Sequence, residues 1–531
     1  MTWFARVGSR IVEAMTSTEV TRIGSARARQ LVGAQALAEA ASSPGRRSER
    51  STAELRLTLS TAFLLSGCPA EAVEEAEAVL AEADLSDELY AAAEVDRLLG
   101  LLADDDLTAT RAAAENILAG AARAGGDAAL AGAFTALGLL AWDDGRVTDA
   151  LGLLRAAVSR SDRGSLDARV NPRLELAPML IAAGQLDEAS DLIAVAAQQI
   201  ELADDTLWAV VPSIYRARVH LAAGRLDEAT ADAEAGVATA DERGTTFYAP
   251  FAISTLATVA LLRGDLDGAA RQVTRYRAAP PPPRVGFGSS TYAWTEARLT
   301  DARRGAVAAF ETLAELYADG AAQRRLLVEE SAAAGWLVRT ALTAGCRTMA
   351  EDVARCVEQL AAGNPHLDTI AASALHARAL LDRDPLALEQ AARTHRNQWA
   401  RGTAFEDAAV ALIDAGEREG ARHQLHEAEA AYALAGATRD VTRVETREGE
   451  LGRRRSSHGA RPAQGWDSLT DAERRVAHVV SEGLTNSEVG SRLYLSRYTI
   501  DFHLRQIFRK LGLRSRVELT RLVLTGTCPT S

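Results

Sequence analysis

Lysine is almost missing from this chain: Lys510 is the only one among 531 residues, although Lys and Arg together number 59. A G-x-x-x-x-G-K-[ST] loop, which needs a lysine on the nucleotide phosphates, is therefore excluded. Cysteine is also scarce. Cys68, Cys346, Cys356 and Cys528 are scattered without metal-ligand spacing, and Cys346 and Cys356 lie ten apart. They read as reduced thiols, which places the chain in a cytoplasmic compartment. Aromatic residues make up only 5%, and Val/Ile/Thr runs of the kind that form strands are nearly absent. No run of 18 apolar residues occurs, so no membrane span is expected. Arg6 and Arg10 are followed by neither an apolar run nor a small-residue cleavage site, so no secretory signal is expected. His423 and His426 lack the H-E-x-x-H order and a third ligand, so no metal is expected there. Gly286-Phe287-Gly288 follows a proline run rather than a strand, which argues against a dinucleotide loop. No nucleophile, base and acid combine into a credible set. The chain reads as a non-enzyme without a cofactor.

Alanine and leucine dominate what is present, and they point to an all-α protein. The length exceeds one hydrophobic core, so at least two units are expected. The charge is uneven. Residues 466–531 hold ten Arg or Lys against seven Asp or Glu, a balance of +3, so the other 465 residues carry −16 of the total −13. An acidic body with a basic end suits a nucleic-acid contact confined to that end.

The body repeats. Segments of the type Gly-x-Leu-Asp-Glu-Ala recur at Gly145–Ala150, Gly184–Ala189, Gly224–Ala229 and Gly264–Ala269, with glycines 39, 40 and 40 residues apart. Weaker copies fall at Gly67, Asp105, Gly305, Gly345, Asp384 and Gly416. This period predicts a tetratricopeptide-like α-solenoid of helical hairpins over 51–449, longer per unit than the standard ~34 residues. Each glycine can close a helix in the left-handed conformation. The acids after it favour the start of the next helix, and Ala229 and Ala233 allow close helix approach. A solenoid of this kind offers a concave face to peptides, proteins or small ligands. Residues 1–50 are irregular. Pro280–Pro283 breaks the array at 278–290, because four prolines cannot be helical. Residues 450–465, rich in Arg, Ser and Gly, read as a flexible linker.

Four helix starts follow Trp466. Thr470 with Glu473, Thr485 with Glu488, and Ser515 with Glu518 have capping-box spacing, and Ser496 is a good N-cap. Gly483 and Gly512 close helices. The helices predicted are 471–482, 486–493, 497–511 and 516–525. Only Tyr494, Leu495 and Ser496 separate the second from the third, which forces a steep crossing of helix-turn-helix type. On the third, Ile500, Leu504, Ile507, Phe508 and Leu511 form an apolar face, and Arg497, Asp501, Phe502, Arg505 and Arg509 lie opposite. Asp501, Arg505 and Arg509 follow i, i+4 spacing along a stripe suited to a DNA major groove.

The run from Leu469 to Leu519 resembles the LuxR-type DNA-binding domain, with matching positions that include Thr470, Glu473, Gly483, Asn486, Glu488, Thr499, His503, Lys510 and Arg516. The resemblance implies that Thr485, Asn486, Ser496, Thr499, Arg509 and Lys510 hold phosphates. It places Asp501, Phe502 and Arg505 at base edges, with Arg497 and Tyr498 beside them, and makes Glu473 and Arg516 structural. Asp501 departs from the basic residue often found there; an acid repels phosphate but can accept from cytosine N4. The body is similar to the C-terminal half of the large ATP-binding LuxR regulators. Without a P-loop lysine no ATP switch is expected, through either loss of that module or a shortened form.

The reading is of a sequence-specific DNA-binding transcriptional regulator, an activator by family tendency. It would act on double-stranded DNA and RNA polymerase as a homodimer joined through the fourth helix by Leu519, Leu522 and Val523. The array would take an unidentified ligand or protein. The competing reading is an interaction scaffold that uses the C-terminal domain for dimerisation, which Arg505, Arg509 and Lys510 argue against. RNA binding is disfavoured by the lack of aromatic stacking platforms.

Overall fold

A computed structural model describes residues 52–120, 126–162, 172–202, 208–243, 247–278, 289–456, 466, 469, 471–493, 497–513 and 515–524. The segment 1–50, the proline run at 280–283 and the tether residues 457–465 lie outside the described residues. Every regular element among the described residues is a helix, and consecutive helices pack as antiparallel hairpins. Four successive hairpins are Gly126–Asp143 with Val147–Ser161, Pro172–Ala182 with Leu186–Leu202, Val211–Ala222 with Leu226–Arg243, and Ala249–Arg263 with Leu266–Ala278.

The turns fall where the glycine period places them. Gly145, Gly184, Gly224 and Gly264 all have φ between +74° and +80°, and so do their weaker copies at Gly67, Gly305, Gly345 and Gly416 within +76° to +87°. All but Gly305, whose N–H donates to the Asp301 carbonyl, close their helix with the same pair of bonds. At Gly224, the glycine N–H donates to the Leu221 carbonyl (3.0 Å) and Arg225 N–H donates to that of His220 (2.9 Å). Asp105 takes the left-handed conformation without a glycine, at φ +66°. Near Asp384 the register moves by one: Arg383 is the left-handed residue (φ +54°), and Asp384 caps the next helix by accepting from the N–H groups of Leu386 and Ala387. Ala229 and Ala233 are fully buried, as their small size requires at a close helix contact. One copy is broken. After Gly305 the second arm splits into Ala306–Thr312, Ala314–Ala318 and Gly320–Glu329.

Three of the four strong turns are at least half-buried, Gly145 fully and Gly184 and Gly224 in part, while Gly264 stays exposed. Asn364 accepts from Thr148 N–H (3.0 Å) and donates to the Gly145 carbonyl (2.9 Å), 219 residues away. Gly184 lies against Thr369, Gly224 against the Leu434 carbonyl, and Gly264 against Arg439. Thr438 Oγ1 donates to the Arg263 carbonyl. The C-terminal hairpins thus cover the row of turns in order. One buried cluster runs from Leu65 to Leu381, and a second joins Leu226 and Val259 to Tyr432 and Val444. The last body helix runs Thr438–Ser456. Residues 450–456, expected as the start of a tether, are helical: Glu450 stands three and four residues before Arg453 and Arg454, a favourable helical spacing.

Buried acids set a pH dependence. Burial, with Glu445 and Glu448 beside it, pushes Glu429 up to about 8; burial raises Glu445 to about 7 and Glu175 to about 7. These carboxyls hold protons more tightly in the folded chain than in the unfolded one. Stability therefore falls as pH rises between their ordinary range and about 8. Burial lowers His395 to about 3, so its contribution is present above its ordinary value of 6.5 and lost as pH falls below it. Above pH 6.5 His395 no longer contributes a slope, and the melting temperature is expected to decline from there to about pH 8 as the carboxyls ionise. Glu429→Gln should flatten that decline in a melting series across pH; an unchanged slope would remove Glu429 as a cause.

Candidate nucleic-acid interface

Four helices follow Trp466: α1 (Asp471–Ser481), α2 (Asn486–Leu493), α3 (Arg497–Leu511) and α4 (Arg516–Leu524). Their ends agree with the capping pattern to within a residue. Glu488 accepts from Thr485 N–H (2.7 Å) and Oγ1 (2.8 Å), while its own N–H donates back to Thr485 Oγ1 (3.4 Å). Those bonds hold the Glu488 carboxyl below its usual range. Glu518 N–H donates to Ser515 Oγ (3.3 Å). Thr470 and Ser496 lie outside the described residues. Ile500, Leu504 and Ile507 are buried with Trp466, Val476, Val480, Val489 and Leu519, and Phe508 and Leu511 pack against them. This core contains no body residue.

α3 turns a polar stripe outward. Arg497, Arg505 and Arg509 are exposed and Asp501 is half-buried. Tyr498, Thr499 and Phe502 lie on the same helix; their side chains are outside what is described. Ser487 and Ser491 on α2 share a cleft with Arg497, Asp501 and Arg505. The sequence reading passed over these two serines, although their i, i+4 spacing on α2 marks one face.

Two expected DNA contacts are already engaged. Asn486 Nδ2 donates to Asp501 Oδ1, and Asn486 Oδ1 accepts from Arg516 Nη1 (2.7 Å). Arg516 also donates to the carbonyls of Leu484 and Val480. This chain of bonds fixes the crossing of α2 and α3. It makes Arg516 structural and gives Asn486 and Asp501 protein partners. Lys510 differs more from the expected phosphate contact. Its Nζ donates to Glu473 Oε2 at 2.6 Å, and the Glu473 side chain is fully buried. The reason is spatial: Lys510 sits where α3 leaves the solvent stripe and meets α1. His503 is buried beside this pair, and burial lowers its pKa. The fourth helix also differs. Leu519 is fully buried, Leu522 and Val523 pack into the same core, and the exposed apolar residues of α4 are Val517 and Leu524.

The stripe faces the body. A cleft of about 1310 Å³ has Arg497, Asp501 and Arg505 on one side, and Asp227, Glu228, Arg263 and Arg439 on the other.

Two helices, α2 and α3, only three residues apart in the sequence, a buried core shared with α1 and α4, and an outward basic stripe define a helix-turn-helix DNA-binding domain. The pattern of the luxR family of bacterial regulatory proteins (GerE) matches residues 467–523, and this C-terminal unit is a GerE domain of that type. A protein of Mycobacterium tuberculosis named as an HTH-type transcriptional regulator is 52% identical over 59 residues, which cover 11% of this chain and 7% of that one. The nitrate/nitrite response regulator protein NarP of Escherichia coli is 43% identical over 56 residues, 10% of this chain and 26% of its own. The chain thus spans 7% of the length of the first of these relatives and about a quarter of the second. Among solved structures, a Rap protein complexed with competence and sporulation factor aligns with 75% of this chain and 99% of its own at 10% identity and a TM-score of 0.39. The TPR domain of P58(IPK) aligns with 76% of this chain and 99% of its own at 14% identity and a TM-score of 0.18. Scores this low carry no argument about the body.

Proposed function

We propose that the whole chain is a transcription regulator whose body controls the access of its C-terminal domain to duplex DNA. The observation that carries this is the Arg497–Asp501–Arg505 stripe: the outward face of the DNA-reading helix is turned toward a body wall that carries Arg225, Asp227, Glu228, Arg263 and Arg439. Arg505 contacts base edges, with Asp501 available to cytosine once Asn486 releases it. Arg497, Arg509, Thr485 and the two serines of α2 hold phosphates. Residues 51–449 form a tetratricopeptide-like solenoid, and its period of left-handed turns supports that reading. The regulator works as a homodimer on DNA through exposed Val517 and Leu524 of α4, and it engages RNA polymerase as an activator.

The test compares residues 460–531 with the full chain on the same selected duplex; the separate core of the domain supports its folding alone. The isolated domain should bind with a log K against log salt slope of about −0.9 per phosphate contact. The full chain should bind more weakly. Salt-insensitive binding of the domain would remove DNA recognition, and equal affinities would remove control by the body.

A further inference from the structure

A cavity of about 190 Å³ lies where the C-terminal ends of the helices at 172–182, 211–222 and 249–263 meet the helix at 289–304 and the segment 396–399. Its wall has an unusual chemistry. Arg218 Nε, Trp294 Nε1, Ser254 Oγ, Thr369 Oγ1 and Gln398 Oε1 are all buried there without a hydrogen-bond partner. Ser254 is 1% exposed, Trp294 4% and Arg218 7%. Buried polar groups are normally satisfied, and clusters of exceptions mark places where something else supplies the partner.

One cation in the wall has no acid bonded to it, although Asp440 and Glu330 act on it through space. The Arg298 guanidinium lies 4.8 Å from the Trp294 ring centre and 4.3 Å from that of Trp399. Among the described residues it has neither a hydrogen bond nor an ion pair. Burial lowers its pKa only to about 10, so it stays charged at neutral pH. The other cations are matched: Arg218 Nη2 donates to Glu330 (3.0 Å) and Arg396 to Asp368 (2.6 Å). The nearby Trp399 Nε1 donates to Asp440. One cation and two further donor-only groups, Arg218 Nε and Trp294 Nε1, therefore lack acceptors. A guanidinium stacked on aromatic faces in this way presents its planar fork to a carboxylate.

We infer that this cavity binds a small monocarboxylate with a compact apolar or ring-shaped body, held by Arg298 and by the free donors of Trp294 and Arg218. This rests on the reading of the body as a sensor and names the ligand class. A single unmatched cation, with Glu329 and Glu330 in the wall, favours one negative charge over the two of a phosphate. The volume sets the size: a cavity of about 150 Å³ holds benzene. Ile181, Leu186, Leu221 and Leu262 line the rest and suit a hydrocarbon body.

The experiment is calorimetric titration of the full chain with benzoate, 4-hydroxybenzoate and cyclohexanecarboxylate, each beside its neutral amide, and with inorganic phosphate. At least one carboxylate should bind, with its amide weaker by about tenfold or more, the cost of losing charge-assisted hydrogen bonds. Arg298→Met, which keeps the stem volume, should weaken that carboxylate by a similar factor. The acid–amide comparison on the unaltered chain decides the matter even where the variant fails to fold. Failure of all three carboxylates to bind, equal binding of acid and amide, or tighter binding of phosphate overturns the assignment. The sensor reading fails separately: carboxylate binding that leaves DNA affinity unchanged supports the site and removes the sensor. A DNA response to cell extract without carboxylate binding removes the site and leaves the sensor.

Discussion

Lys510→Ala is expected to destabilise the C-terminal domain within the full chain by about 3 kcal/mol, the lower end of the cost of removing one partner from a buried ion pair. Glu473 is fully buried and Lys510 a quarter exposed, so the substitution strands a carboxylate that cannot reach water. The resemblance-based expectation was a uniform loss of DNA affinity by removal of a phosphate contact. The Lys510–Glu473 pair supports a different expectation, that affinity falls through loss of stability. Replacing both partners, with Lys510→Met and Glu473→Leu, should recover most of the loss, since no buried charge is left. Urea unfolding of the single and double variants measures the difference. A Lys510→Ala domain as stable as the parent, but weaker on every duplex, would restore the phosphate role.

Gly224→Ala is the other large effect. A Cβ at Gly224 would stand 2.4 Å from the Leu434 carbonyl oxygen, with φ at +74°. The left-handed conformation costs a non-glycine residue about 1–2 kcal/mol. The backbone contact adds overpacking of about 1–3 kcal/mol, because a carbonyl cannot rotate away as a side chain can. A total of about 3 kcal/mol is expected. Gly416 supplies the control. It has φ +84° and nothing within 4 Å of a Cβ, so Gly416→Ala should lose only the conformational part, about 1 kcal/mol. Denaturation midpoints of the two variants decide it. Equal losses would mean that the turn at Gly224 is not docked on the C-terminal hairpins.

This pair of glycines shows what was legible in the sequence. Their role as left-handed helix ends is local and repeats every 40 residues or so, and it could be read without coordinates. Asp105 was placed in the same register, and it keeps the conformation at φ +66°. Capping is local as well, which is why Thr485–Glu488 and Ser515–Glu518 appear as expected. What covers Gly224 is not local. Leu434 is 210 positions away, and no periodicity links it to that turn. The contact of Asn364 with Gly145 from 219 residues further on is non-local in the same way.

The site divides the same way. The i, i+4 spacing of α3 placed Asp501, Arg505 and Arg509 on one stripe; the structure brings Asp501 and Arg505, with Arg497, to one cleft, and Arg509 is exposed outside its lining. Lys510 follows Arg509 in the basic run, yet its side chain points to α1, because a helix turns about 100° per residue. Sequence spacing gave the charge of that position but not the buried Glu473 opposite it. The bonds among Asn486, Asp501 and Arg516 cross three helices, and only their assembly reveals them.

The central claim is that the exposed stripe of α3 reads duplex DNA, with Arg505 at a base edge. Equilibrium binding of domain 460–531 and its Arg505→Ala variant, on the selected duplex and on duplexes altered one base pair at a time, tests it most directly. The account predicts a loss of about 1–3 kcal/mol on the selected site and relaxed preference at one or two base pairs, with the urea midpoint unchanged because Arg505 is exposed. Equal loss on every duplex would make Arg505 a phosphate contact. No loss on any duplex would contradict the claim that this face of the helix meets DNA.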